Sequence, residues 1–130
     1  MAQKILIVED HADAANMLAL LLAREGYTTI HAKNGREGFA LAIKENPSLV
    51  LTDLQMPEMD GVSLVKLLRQ QAQFTALPII IVTAYRTSEF YEAMQAGAND
   101  AVFKPIFYDR LVAVIKKFLP GEQPASGGIA

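Results

Sequence analysis

Five side chains of this sequence could act together if the fold brought them to one place: Glu9, Asp10, Asp53, Thr83 and Lys104. Each ends a short apolar run. Lys4-Ile5-Leu6-Ile7-Val8 leads into Glu9-Asp10, Leu49-Val50-Leu51-Thr52 into Asp53, Ile79-Ile80-Ile81-Val82 into Thr83, and Ala101-Val102-Phe103 into Lys104. A carboxylate closing a buried strand is costly unless it has partners. Clustered carboxylates repel one another unless they are protonated or share a cation. An all-oxygen donor set, with no cysteine and no obligatory histidine, favours a hard ion such as Mg2+. That ion typically takes one or two carboxylates together with phosphate oxygens and water. Thr83 can donate to a phosphoryl oxygen, and Lys104 can neutralise its charge. A carboxylate can itself be the nucleophile and form an acyl phosphate. Phosphoryl transfer asks mainly for positioning and charge stabilisation, and this set supplies both.

The elements that must position these residues are legible from periodicity. The run Lys4–Val8 reads as a first buried strand. Ala14–Glu25 reads as a helix, with Met17, Leu18, Leu21 and Leu22 at helical spacing, Asp13 as N-cap and Gly26 at its C-terminal end. Tyr27–Ala32 reads as a second strand. Asn34 begins a second helix, with Glu37 completing a capping-box-like pattern, Phe39, Ala40 and Ile43 as its apolar face, and Pro47 barring its continuation. Leu49 to Thr52 is the third strand. A third helix starts near Gly61, carries Val62, Leu64, Val65, Leu67 and Leu68 as its stripe, and ends near Gln71 to Gln73. Ile79–Val82, rich in β-branched residues, is a fourth strand. Thr87 or Ser88 caps a fourth helix that stops at Gly97. Ala101–Phe103 is a fifth strand, and Tyr108–Leu119 a last helix.

Strand and helix alternate five times. That pattern predicts an α/β fold, a parallel sheet with right-handed crossovers and helices on both faces. Five units fit a flavodoxin-like three-layer sandwich of strand order 2-1-3-4-5. Ligands of such sheets bind at the carboxyl edge, near the switch in strand order, where all five side chains would meet.

The bulk numbers bound the rest. One hundred and thirty residues suit a single domain, expected over residues 1–120, and 52% hydrophobic residues are ample for a packed core. Residues 121–130, Gly/Pro/Ser-rich, are expected as a flexible tail or the start of a linker. A formal charge of −2 gives no electrostatic reason to bind nucleic acid or an anionic membrane. The absence of cysteine excludes disulfides, thiolate zinc sites and thiol nucleophiles. No apolar run is long enough to span a bilayer, and the first residues lack a signal-peptide pattern, so the expected location is the cytoplasm.

Glu9-Asp10, Asp53 with Met56-Pro57 and Asp60-Gly61 behind it, Thr83-Ala84, Lys104-Pro105 and the segment Ala96-Gly97-Ala98-Asn99-Asp100 together resemble the receiver domain of two-component response regulators, over roughly residues 3 to 119. The resemblance implies that Asp53 accepts a phosphoryl group from the phosphohistidine of a sensor kinase. It implies that Asp10 and Asp53 hold Mg2+, with Glu9 acting directly or through water and the backbone carbonyl of Gln55 completing the protein ligands. Thr83 would bond the phosphoryl group and move toward it. Lys104 would contact the Asp53 carboxylate and then the phosphate, and the Lys104-Pro105 bond would be cis. No enzyme activity beyond the chain's own phosphorylation and dephosphorylation is implied.

Two positions depart from the family pattern. Receivers often carry Asp-Asp after the first strand, where this chain has Glu9-Asp10. The family usually places Tyr or Phe three residues before the lysine as a rotameric switch, and here Ala101 stands there. Phe103 shares the strand parity of Ala101, and Tyr85 lies two residues after Thr83, so either is a candidate substitute. Gln55 and Tyr85 would also flank the path of the hydrolytic water.

Other residues carry plainer readings. His11 is expected to face solvent at the start of helix one, and His31 is assigned no role. Met17, Met56, Met59 and Met94 read as packing residues, Lys44-Glu45 as a solvated charged pair, and Glu58 and Asp60 as turn and cap residues. A phosphatase of the haloacid-dehalogenase type would need an acid where Gln55 stands, and a flavin carrier would place phosphate against Glu9-Asp10. The expected partners are a sensor histidine kinase or histidine phosphotransfer protein, and a downstream protein or output domain. These would be reached through the face of helix four, strand five and helix five, where Glu92, Gln95, Ala101, Phe103, Asp109, Arg110 and Val112 lie; a homodimer could form there too. The alternative is a pseudo-receiver, a docking module that works without phosphorylation.

Overall fold

A computed structural model of the chain describes residues 3–119. The stretch 121–130, expected as a tail or linker start, lies outside the described residues. Five parallel strands, β1 (Lys4–Val8), β2 (Thr28–Ala32), β3 (Leu49–Thr52), β4 (Ile79–Thr83) and β5 (Asp100–Phe103), form one sheet of order β2-β1-β3-β4-β5. Five helices alternate with them: α1 (Ala12–Arg24), α2 (Gly35–Glu45), α3 (Gly61–Arg69), α4 (Ser88–Ala96) and α5 (Tyr108–Phe118). This is the predicted architecture. The strand order reverses between β1 and β3, which puts the carboxyl ends of β1 and β3 side by side, with Val8 opposite Thr52.

Strand parity divides the core into two layers. Leu6, Val8, Val50, Ile79, Ile81 and Ala101 pack under α2, α3 and α4. Ile5, Ile7, Leu49, Leu51, Ile80, Val82 and Val102 pack under α1 and α5. Strands buried on both faces have no polar position to spare until their ends, so the polar side chains collect at the edge.

Several local expectations are corrected. α1 begins at Ala12 with His11 in the cap position and no side-chain cap, so Asp13 lies within the first turn instead of capping it. α3 ends at Arg69, and a separate 3-10 turn, Ala72–Phe74, buries Phe74. The buried side of α2 is Gly35, Gly38 and Ala42, whereas Ala40 and Ile43 are exposed. The reason is proximity: a Cβ on Gly38 would lie 3.0 Å from a methyl of Val8, so small residues let α2 settle on the sheet. Met17 of α1 is also exposed instead of packed. Glu45 pairs with Lys4 of β1 at 2.8 Å, so Lys44-Glu45 is not a simple solvated pair. The expected caps hold: Asn34 accepts from the Glu37 N–H, Asp60 from the Ser63 N–H and Thr87 from the Phe90 N–H.

A residue with no sequence signal ties α3 to α4. The Arg69 guanidinium donates to the carbonyls of Gly97 (3.0 and 2.8 Å) and Phe74 (2.8 Å) and to Asn99 Oδ1 (2.8 Å). Asn99 Oδ1 in turn accepts from the Ile79 N–H at the start of β4. Arg69→Ala leaves these carbonyls without their charged donor. It should cost about 2 kcal/mol in urea unfolding, and a loss below about 0.5 kcal/mol would show the network to be dispensable.

Candidate active site

β1, β3, β4 and β5 end at one edge, and the five predicted side chains stand there. Asp53 leaves β3 with its N–H on the Val8 carbonyl (3.0 Å), which fixes it beside β1. Its Oδ1 accepts from the Leu54 N–H at 2.7 Å, and its Oδ2 lies 3.3 Å from Lys104 Nζ. Lys104 Nζ also approaches Glu9 Oε1 at 3.9 Å. The Lys104 N–H donates to the Thr83 carbonyl at 2.8 Å, and the Lys104-Pro105 bond is cis, as expected. Thr83 is buried and lies opposite Phe103 in the sheet register. Asp53, Thr83 and Lys104 line one cleft of about 260 Å3, with Leu54, Gln55, Ala84, Tyr85, Thr87 and His11 around it.

Glu9 is almost wholly buried, an unusual place for a carboxylate. Its Oε2 accepts from both the backbone N–H (3.0 Å) and Nδ1 (3.0 Å) of His11. His11 is exposed, as expected, yet it is engaged. The Glu9 hydrogen bond, then the charges of Asp10 and Glu9, raise its pKa above the usual histidine value, against smaller opposing effects of burial and Lys104. His31, given no role from sequence, places Nε2 2.7 Å from the Glu9 carbonyl. It therefore steadies the backbone that presents the acidic pair. No pattern in sequence marks that bond, because it joins residues of adjacent strands through a side chain and a carbonyl.

Glu9, Asp10 and His11 offer ligand atoms that all lie within 4.8 Å of one another, and Asp53 does not join that group. Asp10 Oδ1 is buried and receives no hydrogen bond, although His11 Nδ1 is 3.4 Å away. A buried anionic oxygen without a donor, beside a buried carboxylate, is a place a hard divalent cation fits. Two other predicted residues are less central. Gln55 is exposed at the rim, and Ala101 is buried as a methyl in the α4-side core, with no polar group to offer. Tyr85 is 74% exposed, whereas Phe103 is packed. Glu92, expected on the signalling face, reaches across to Lys66 of α3 at 3.2 Å.

The doubly wound sheet thus presents an acidic pair, an aspartate, a threonine and a lysine at the edge where its strand order switches, the place where such sheets bind ligands. The response regulator receiver domain family matches residues 5–116, and the chain belongs to it. The chain is 33% identical over 120 residues to the polar-differentiation response regulator DivK of Brucella anthropi, covering 92% of this chain and 98% of DivK. It is 38% identical over 117 residues to the regulatory protein AtoC of Escherichia coli K12, covering 89% of this chain but only 25% of AtoC. The receiver domain of the sensor histidine kinase PA1611 from Pseudomonas aeruginosa PAO1 is similar in structure, with a TM-score of 0.86 at 26% identity. The match covers 93% of this chain and all of that one, and that protein holds a magnesium ion in its active-site cleft. Among the described residues, no helix is long and apolar enough to cross a membrane.

Proposed function

We propose that residues 1–120 act as a phosphorylatable receiver whose phosphoacceptor is Asp53. The donor is a phosphohistidine of a sensor kinase or histidine phosphotransfer protein. The response passes to a downstream protein or output domain through the face of α4, β5 and α5. The observation that carries this reading is the placement of Lys104 Nζ 3.3 Å from Asp53 Oδ2, in a cleft that Thr83 also lines.

The chemistry follows from the side chains. An Asp53 carboxylate oxygen attacks phosphorus and forms the new O–P bond. The P–N bond of the donor breaks, and the imidazole nitrogen leaves with the electron pair and takes up a proton. The Leu54 N–H orients the carboxylate. Lys104 offsets charge on the phosphoryl oxygens, and the Thr83 hydroxyl donates to one of them. Glu9, Asp10, Asp53 and the Gln55 backbone carbonyl would hold Mg2+, whose charge, when bound, offsets that of the incoming phosphoryl group.

Intact mass after incubation with acetyl phosphate tests the reading. A single added phosphoryl group in the presence of Mg2+, and none with the ion chelated, is the expected result. No adduct under conditions where Mg2+ binding is shown separately would overturn it in favour of a phosphorylation-independent docking module.

Tyr85 and Gln55 stand at the rim, where water must pass to reach the acyl phosphate. Tyr85→Gly should therefore shorten the lifetime of the phosphorylated chain several-fold, read as loss of the mass adduct with time. Equal decay in the two proteins would remove that role from Tyr85.

A further inference from the structure

The packing of Phe103 answers a question that Ala101 raises. With only a methyl at 101, no ring at that position can follow a movement of Thr83. Phe103 is the residue whose Cα pairs with Thr83 in the β4–β5 ladder, so the two side chains are lateral neighbours on the same face of the sheet. One side of the Phe103 ring packs on Phe90 of α4, with centroids 5.3 Å apart. The Arg86 guanidinium lies over the ring, 4.2 Å from its centroid. Arg86 is only three residues beyond Thr83, in the loop that leads into α4. Arg86 is exposed, and among the described residues it makes no ion pair within 4 Å that would compete with the ring. Phe90, whose N–H is capped by Thr87, is buried at the start of α4 and also meets the ring of Tyr91 edge-on at 5.0 Å. Tyr85, the other aromatic candidate, is 74% exposed and packs on none of these rings.

We infer that the Arg86–Phe103 stack couples the phosphoacceptor cleft to the α4 face. Arg86 and Phe103 are positioning residues that hold the loop after Thr83 in its resting place. The stack opens when Thr83 closes on a phosphoryl group carried by Asp53. The inference rests on the function proposed above and names how that site is read out. The mechanics are local. The Thr83 carbonyl is pinned to β5 by the Lys104 N–H, so motion of its hydroxyl toward Asp53 is taken up by Ala84, Tyr85 and Arg86. An exposed cation–π contact is weak enough to break in such a step, yet strong enough to bias a two-state equilibrium. Opening it frees Phe103 and the first turn of α4 to repack, which changes the surface a partner meets.

Nuclear magnetic resonance on the 15N-labelled full chain tests this, with fluoroberyllate and Mg2+ as a phosphoryl mimic. The Arg86 Nε–H and neighbouring side-chain protons should be shifted upfield by the Phe103 ring, and Phe103→Leu should abolish that shift and so assign it. Saturating fluoroberyllate should abolish it in the wild type. Arg86→Ala should lower the fluoroberyllate concentration for half-maximal response of the α4 amides by roughly two- to fivefold, the bias of one exposed cation–π contact, with Arg86→Lys restoring part of the wild-type midpoint. Retention of the ring shift in the bound state, or an unchanged or raised midpoint in Arg86→Ala, would overturn the coupling, as would a loss of stability in urea with no movement of the midpoint. Absence of any Asp53-dependent response in the wild type would overturn the phosphoacceptor reading itself, and the coupling with it.

Discussion

Asp53→Asn should take up no phosphoryl group from acetyl phosphate while remaining folded. The substitution removes the nucleophile, because an amide oxygen cannot form a stable acyl phosphate. It preserves what holds the residue in place. The asparagine Oδ1 can still accept from the Leu54 N–H, and its own N–H keeps the bond to the Val8 carbonyl. What is lost is the ion pair with Lys104, whose side chain is about one-third exposed and still faces Glu9. For a pair with that much solvent, the change in unfolding free energy should stay within about 1 kcal/mol. Intact mass and a urea titration on the same preparation check both halves. An adduct that persists in Asp53→Asn, at wild-type stability, would place the phosphoacceptor elsewhere, with Asp10 the first alternative.

Both the fold and the membership of the edge follow from one property of the sequence. Strands buried on two faces spell near-continuous apolar runs, and the first polar residue after each run must lie at the sheet edge. That is why the sequence alone predicts Glu9, Asp10, Asp53, Thr83 and Lys104 at the carboxyl edge, where β1, β3, β4 and β5 end. What stays hidden is lateral. His31 touches the Glu9 carbonyl from the neighbouring strand, and Arg69 reaches Gly97 and Asn99 some thirty residues away. Neither contact leaves a periodic mark. The buried side of α2 is hidden for a related reason: Phe39 packs on the core as its spacing predicts, but Ala40 and Ile43 face solvent, and the close approach to the sheet is made by Gly38 against Val8, which no hydrophobicity pattern records. Register is a third hidden quantity. Parity shows that Phe103 and Ala101 share a face, but only the pairing of Thr83 with Phe103 shows which of them stands beside the threonine.

Gly61→Ala should be the most damaging single methyl addition near the site. Gly61 begins α3, and its N–H donates to the Leu54 carbonyl at 2.8 Å. That bond draws the start of the helix onto the segment that carries the phosphoacceptor. A Cβ at position 61 would collide with the Asp53 carbonyl oxygen and lie 2.9 Å from Leu54 Cα. Both are backbone atoms, and neither can rotate aside as a side chain would. The Asp53 residue is in turn pinned by the Val8 carbonyl, so relief requires α3 to move away from β3 or Asp53 to move out of the cleft. The first opens the packing of Val62, Val65 and Leu68, which are buried against the sheet. The second changes the distance from Asp53 to Lys104 on which the proposed transfer depends. Overpacking against rigid atoms of this kind costs about 3 kcal/mol. The variant should therefore unfold at a lower urea concentration, and at temperatures where it is still folded it should acquire the phosphoryl group more slowly than the wild type. Loss of stability with unchanged uptake would show that α3 yields and the cleft does not. A change below about 1 kcal/mol with unchanged uptake would refute the close approach itself.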